Sequence, residues 1–238
     1  MGRIFEKRKH KMFARYAKMA KMFTRISKEI FIAAKQGGHD IESNPRLRMA
    51  VQNAKAINMP KANIEAAIRK ATNKDEKNLE EVVYEAYGPH GVALIIETAT
   101  DNHTRTVANI RMHLNRAEGS LIKSGSLDFI FERKAIFKLK SQGQNPEDLE
   151  LDLIDFGLEE LNEEAGLLYI VTPFKEFGNM QKALEEKGLE IISTDFEYIA
   201  TPGTFKEGLT EVQQNDVLKL IEKLEEDDDV QNVFHNMA

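Results

Sequence analysis

Apolar residues in the first third of the chain recur with a helical period. Met12, Tyr16, Met19, Phe23, Ile26 and Ile30 follow one another at alternating steps of four and three, which draws one narrow stripe along an α-helix. Lys11, Arg15, Lys18, Lys21, Arg25 and Lys28 fall on the remaining surface, centred opposite that stripe. Gly37-Gly38 supplies the stop, as glycine does past a helix C-terminus. Ser43-Asn44-Pro45 then predicts a cap and a first-turn proline, with Leu47, Ala50, Val51, Ala54 and Ile57 turned inward. Met59-Pro60 opens a third helix carrying Ile64, Ala67, Ile68 and Ala71, and the polar run Asn73–Asn78 closes the segment. Three helices with many alanines and few aromatics predict a small helical bundle.

Beyond that run the pattern alternates between strands and helices. Gly88-Pro89-His90-Gly91 reads as a turn and Val92–Thr98 as a β-rich apolar run. A helix is predicted near 103–117, capped by Asp101 or Asn102, with Val107, Ile110 and Leu114 inward. Leu127–Glu132 and Ala135–Lys140 read as two short strands separated by Arg133-Lys134. The sequence then predicts a helix from Asn145 through Phe156, a strand at Leu167–Val171, a helix at Phe174–Lys187 and a strand at Ile191–Tyr198. A helix at Thr210–Leu224 and a strand at Val230–Phe234 complete the chain, with Pro202-Gly203 marking a return. Single strand–helix pairs bury too little surface alone, so these elements are expected to assemble into two small α+β sandwiches of the split βαβ type.

Composition sharpens this picture at one point, the distribution of charge. The 238 residues carry a net charge of −6, yet residues 1–78 hold 19 Lys and Arg against 7 Asp and Glu, an excess of +12. The remainder carries −18. A basic third joined to an acidic body points to an anionic partner for the first part, with nucleic acid ahead of an anionic membrane. Docking of the two halves on each other is the structural alternative. There is no cysteine, which excludes disulfides, thiolate catalysis and cysteine-ligated metal. No apolar run is long enough to span a bilayer and no secretory signal is evident, so the expectation is a cytoplasmic protein with no membrane partner.

The candidate nucleic-acid-binding residues follow from the charge. Lys11, Arg15, Lys18, Lys21, Arg25 and Lys28 form the basic helix face, and Lys7, Arg8 and Lys9 continue it toward the N-terminus. Such groups gain affinity by neutralising phosphates and releasing counterions; a solvated helix face is the alternative. Arg46 and Arg48 stand on the first turn of the second helix, where the macrodipole favours acids, so they are candidates for phosphate contact or for salt bridges to the acidic body. Lys61, Arg69 and Lys70 extend the surface. Gly119-Ser120 through Gly125-Ser126 brackets a loop with Lys123 that is a weaker candidate for reaching RNA. The glycines around His90 precede a strand rather than a helix N-terminus, which disfavours a phosphate cradle. The six histidines show no zinc-ligand spacing and no Gly-x-Ser-x-Gly elbow occurs, so neither catalysis, a metal, a cofactor nor a small-molecule substrate is expected.

Several strings carry a family resemblance. They are Asn44-Pro45-Arg46-Leu47-Arg48, Asn58-Met59-Pro60-Lys61-x-Asn63-Ile64, Tyr84-Glu85-x-Tyr87-Gly88-Pro89-x-Gly91-Val92-Ala93 and Asp101-Asn102-x-x-Arg105-Thr106-Val107, with Ser124-Gly125-Ser126 and Phe131-Glu132-Arg133-Lys134. Together, and in this order, they resemble the YebC/PmpR family, which includes the mitochondrial translational activator of cytochrome c oxidase. The resemblance covers nearly the whole chain. It implies an α+β protein: a three-helix domain over residues 1–78, then two ferredoxin-like domains. The middle one would be discontinuous, residues 79–134 plus 205–238, around an inserted domain at 135–204. It also implies a non-enzymatic regulator of gene expression, either a DNA-binding transcriptional regulator on duplex DNA or a ribosome-associated, RNA-binding translation factor that relieves stalling and meets rRNA or tRNA. A protein-interaction scaffold whose basic domain contacts acidic partners is the alternative. The start departs from the family's Gly-His-Ser-Lys-Trp-like opening: Gly2-Arg3-Ile4-Phe5-Glu6-Lys7-Arg8 stands there, and the chain has no Trp.

Overall fold

A computed structural model describes residues 3–73, 75–141 and 143–238, the side chains of residues 3–18 excepted. The chain divides into two compact units, Met1–Leu79 and Glu80–Ala238.

The first unit holds three helices, α1 (Arg3–Gly37), α2 (Pro45–Ala56) and α3 (Lys61–Thr72). Along the described part of α1 the apolar stripe deepens toward its C-terminus. Met19, Phe23 and Ile26 are half-buried, whereas Ile30, Phe31, Ile32, Ala33 and Ala34 are all buried. Five consecutive buried residues exceed what one helix face provides; both α2 and α3 pack on this end of α1. Their inward faces are Leu47, Ala50, Val51 and Ala54 on α2, and Ile64, Ala67 and Ala71 on α3.

Asn44 ties these helices together. Its Oδ1 accepts the Leu47 amide as the cap of α2, at 3.0 Å, while its Nδ2 donates to the carbonyls of Ala33 and Gly38, both at 2.8 Å. One buried side chain therefore satisfies groups left over at the end of one helix and the start of the next.

The second unit contains two four-stranded antiparallel sheets. Its elements are β1 (Glu80–Tyr87), β2 (Ala93–Thr100), α4 (His103–Arg116), β3 (Ser120–Ile122), β4 (Phe131–Lys140), α5 (Pro146–Leu153), β5 (Glu160–Glu164), β6 (Leu167–Pro173), α6 (Phe177–Glu186), β7 (Ile191–Ala200), α7 (Glu211–Glu225) and β8 (Val230–His235). One sheet has the order β5-β6-β4-β7, built from a consecutive β-α-β-β-α-β run, which is the ferredoxin-like arrangement. The other has the order β3-β1-β2-β8. It keeps the same pattern, except that the strand expected third comes first in the chain and the last helix and strand arrive only after the other sheet is complete.

Each sheet packs one face on its two helices. Phe137, Leu139, Leu168 and Ile170 meet Leu149 and Leu153 of α5 and Met180 and Leu184 of α6. Leu94 and Ile96 meet Ile110 and Leu114 of α4 and Val217, Leu220 and Leu224 of α7. A third cluster joins the other face of β2 to the loop after β3 and the end of the second sheet, through Ala93, Ile95, Leu127, Ile130, Phe131 and Ala200.

Several elements differ from the sequence reading. Arg133-Lys134 does not separate two strands: β4 runs unbroken from Phe131 to Lys140, and Leu127–Ile130 is a turn. Both cations are accommodated in the strand. The Arg133 guanidinium lies 4.1 Å over the Phe174 ring, and Lys134 bonds Glu159 at 2.7 Å and pairs with Glu132. The helices beginning near 146 and 174 are each part 3-10 turn, at Ile154–Phe156 and Phe174–Glu176. Three strands, β1, β3 and β5, had no counterpart in the apolar pattern.

Candidate nucleic-acid interface

The candidate cations distribute over all three helices of the first unit. Lys21 on α1 is exposed, while Arg25 and Lys28 are half-buried. On the first turn of α2 Arg46 is exposed and donates to Gln36 Oε1 at the end of α1, at 2.8 Å. Arg48, two residues on, is also exposed. Lys61 opens α3 with its side chain 89% exposed, 3.6 Å from Glu65. At that exposure the pair contributes little and leaves the ammonium accessible. Lys7, Arg8, Lys9, Lys11, Arg15 and Lys18 lie outside the described side chains. Lys35, absent from the candidates, closes the bundle instead: its Nζ donates to the Asn73 carbonyl at 3.1 Å.

Cations of the second unit are engaged differently. Arg105 donates to Asp229 through Nη2 at 2.6 Å and Nε at 3.1 Å, and to Asp101 at 2.9 Å. The Asp229 carboxylate, itself buried, also accepts the hydroxyls of Thr106 and Thr100. Its hydrogen bonds, then that of Asp101, hold Arg105 above its ordinary pKa. Asn102 caps α4 by accepting the Arg105 amide. The string Asp101-Asn102-x-x-Arg105-Thr106 is therefore a structural tie between the start of α4 and the turn before β8. Lys140 with Glu190 and Lys187 with Asp152 form further ion pairs.

One arrangement escaped the sequence reading. Glu85, in mid-strand on β1, is 6% exposed, and its carboxylate receives two backbone amides from a loop 40 residues later: Gly125 at 2.6 Å and Leu127 at 2.8 Å. Gly125 has φ +86°, a conformation natural to glycine. Leu127 and Ile130 are buried beneath the loop, while Lys123, Ser124, Ser126, Asp128 and Phe129 stay exposed. Gly119, at the loop's approach, lies so close to β1 that an added Cβ would stand 2.6 Å from the Tyr87 carbonyl. The available signal was an acid placed between Tyr84 and Tyr87, but period-2 reading assigns such a residue to solvent.

The histidines serve as local partners: His90 meets Asp216 at 3.3 Å and His103 meets Glu80 at 2.5 Å. Among the described residues no three His, Asp or Glu side chains are grouped to hold a metal ion, and no helix is long and apolar enough to cross a membrane.

Comparison with known proteins covers both units. Residues 3–74 match the family model described as the TACO1/YebC protein N-terminal domain, and residues 79–237 match that of the TACO1/YebC second and third domain. A probable transcriptional regulatory protein of Flavobacterium psychrophilum is 52% identical, with 100% of this chain and 99% of the relative covered. One of the same description from Cytophaga hutchinsonii is 53% identical at the same coverage. The crystal structure of a conserved hypothetical protein from Aquifex aeolicus superposes with a TM-score of 0.77 at 34% identity, over 93% of this chain and 91% of the other.

Proposed function

The chain belongs to the TACO1/YebC family, and we propose that within it this protein is a non-enzymatic, cytoplasmic regulator of gene expression whose helical unit binds nucleic acid, with ribosomal RNA the favoured partner. The observation that carries this reading is the charge of that unit. The seven acids of the unit cannot neutralise its nineteen cations, and a surplus of that size supports contact with phosphates. Lys21, Arg48 and Lys61 are exposed on three different helices, which suits contact along a backbone.

Two features favour RNA on the ribosome over free duplex DNA. The body with its −18 is repelled by a duplex wherever it approaches within a Debye length of about 8 Å, whereas a ribosome offers basic protein surface beside its RNA. The described candidates are also all Lys and Arg, groups that position a protein on phosphates without reading bases. That the relatives are described as probable transcriptional regulatory proteins favours the second reading, promoter DNA.

Sedimentation of the tagged protein from growing cells separates the two. Comigration with ribosomes that survives DNase and is lost with RNase or high salt is expected. A sequence-specific footprint at physiological salt without comigration would establish the DNA reading instead.

A further inference from the structure

The loop held by Glu85 is an ordered surface segment of the second unit. Its outer residues are exposed, yet it is fastened at three points. Glu85 binds the Gly125 and Leu127 amides, Leu127 and Ile130 are sunk in the core, and the hydroxyls of Thr201 and Thr204 donate to the carbonyls of Phe129 and Ile130, at 3.3 and 3.1 Å. Burying a carboxylate is costly unless its bonds are good, and here they order the backbone of a surface loop. Ordering a loop before it meets a partner removes an entropy cost from binding.

The loop displays Phe129, a residue 69% exposed, between Asp128 and the anchored Ile130. The neighbouring exposed groups are Lys123, Ser124 and Ser126. The second anchoring segment ends in the same way: Phe205, 45% exposed, directly follows Thr204 and precedes Lys206. An ordered, exposed ring with Lys123, Ser124 and Ser126 in the same loop, beside the acid Asp128, matches the way single-stranded nucleic acid is held, with bases stacked on aromatic faces and phosphates met by cations.

We infer that the loop Lys123–Phe129, pre-ordered by Glu85, is a second nucleic-acid contact that stacks unpaired bases on Phe129. The inference deepens the reading of the chain as an RNA-binding regulator and rests on it. It places a base-stacking contact in the acidic unit and assigns Glu85 as a positioning residue.

The test uses the full chain, a short fluorescein-labelled oligouridylate and a matched RNA duplex, with affinities read by anisotropy. Phe129→Ala, at an exposed site, should keep the parent's melting temperature and bind the single strand about tenfold more weakly. Duplex affinity should stay unchanged, and Phe129→Trp should restore the single-strand value. Glu85→Gln, which keeps one acceptor oxygen, should speed amide exchange at Gly125 and Leu127 and weaken the single strand in the same direction. A parent that binds neither probe overturns both the inference and the functional reading it rests on. A parent that binds while Phe129→Ala binds equally well overturns the inference alone, and so does a Phe129→Ala variant that loses only a protein partner after RNase treatment.

Discussion

The two units handle charge in opposite ways. In the helical unit cations outnumber acids 19 to 7, and among the candidates Lys21, Arg48 and Lys61 stand out on the surface. In the sheet unit acids outnumber cations 32 to 14, and several of the cations are joined to named carboxylates. Arg105 is bonded to Asp229 and Asp101, Lys134 to Glu132 and Glu159, and Lys187 to Asp152. A positive charge in the sheet unit thus tends to be part of the fold, whereas in the helical unit the surplus outnumbers the acids of that unit. Their cores differ too. The helical unit buries mainly alanine and single aliphatic side chains around one end of α1, while the sheet unit has three clusters and stacked rings such as Phe137 and Phe177, 5.6 Å apart.

The largest expected effect comes from removing the end of the chain. A protein ending at Pro202 lacks α7 and β8, and with them Val217, Leu220, Leu224, Val230 and the Asp229 carboxylate. We propose the domain division 79–134 plus 205–238 around 135–204 for this reason: the first sheet needs both ends of the unit. The truncated chain should lose protection from amide exchange in β1 and β2, since an edge and an apolar face become exposed. The helical unit should keep its protection. Parent-like exchange in β1 and β2 would break the division.

Charge reversal should follow next. Changing Lys21, Arg25, Lys28 and Arg48 to Glu is expected to lower RNA affinity by about a hundredfold and to flatten its dependence on salt. Reversing the same number of exposed cations in the sheet unit, at Arg111, Lys175, Lys182 and Lys219, should change it by less than about threefold. Equal losses in the two sets would mean that net charge, rather than its placement, governs binding.

Asn44→Ala tests the simpler core of the helical unit. It removes the cap of α2 and strips a partner from the Ala33 and Gly38 carbonyls, so a loss of about 2–3 kcal/mol is expected in chemical denaturation of that unit. Exchange in the sheet unit should be unaffected. A loss below about 0.5 kcal/mol would show that water replaces all three bonds.

Much of the fold was legible because helices announce themselves locally. The cap at Asn44-Pro45, the cap read at Asp101 or Asn102, which the structure gives to Asn102, and the helical pattern through Val217, Leu220 and Leu224 each concern neighbours within a few residues. The missed strands depend on distant partners. β5 is the run Glu160-Leu161-Asn162-Glu163-Glu164, which is a strand because β6 pairs with it. β1 carries Glu80, Glu81 and Glu85, and its character comes from lying between β2 and β3. β4 was divided at Arg133-Lys134 because the Phe174 ring and the Glu159 carboxylate that accommodate those cations are 41 and 25 residues away in sequence. The candidate site was legible as a charge excess, which composition alone reveals. The bond from Glu85 to the loop at Gly125 was not, since a buried acid announces no period.

Acidity should separate the units by the smallest effect, and in opposite directions. Burial raises the pKa of Glu97 on β2, against the hydrogen bond from Asn232 and the attraction of Arg133. A carboxyl raised in the folded state contributes stability below its unfolded value and loses it as pH rises through the folded one. At neutral pH the charged form of Glu97 is therefore a cost. Glu97→Gln keeps an oxygen for the Asn232 amide, so it should be more stable than the parent at pH 7, by less than about 1 kcal/mol, and should match it below about pH 4. Asp40 in the helical unit is lowered instead, by the Ser43 side chain and then the Glu42 amide, so its contribution is present above the unfolded value and fades as pH falls through the folded one. Asp40→Asn should accordingly differ most from the parent at pH 7 and least near pH 3, with the parent the more stable. Paired thermal melts of the two variants across this range read both signs. A Glu97→Gln protein less stable than the parent at pH 7 would show that Arg133 holds the charged carboxylate more strongly than burial opposes it, and the acidic unit would then resemble the basic one in favouring its ionised acids.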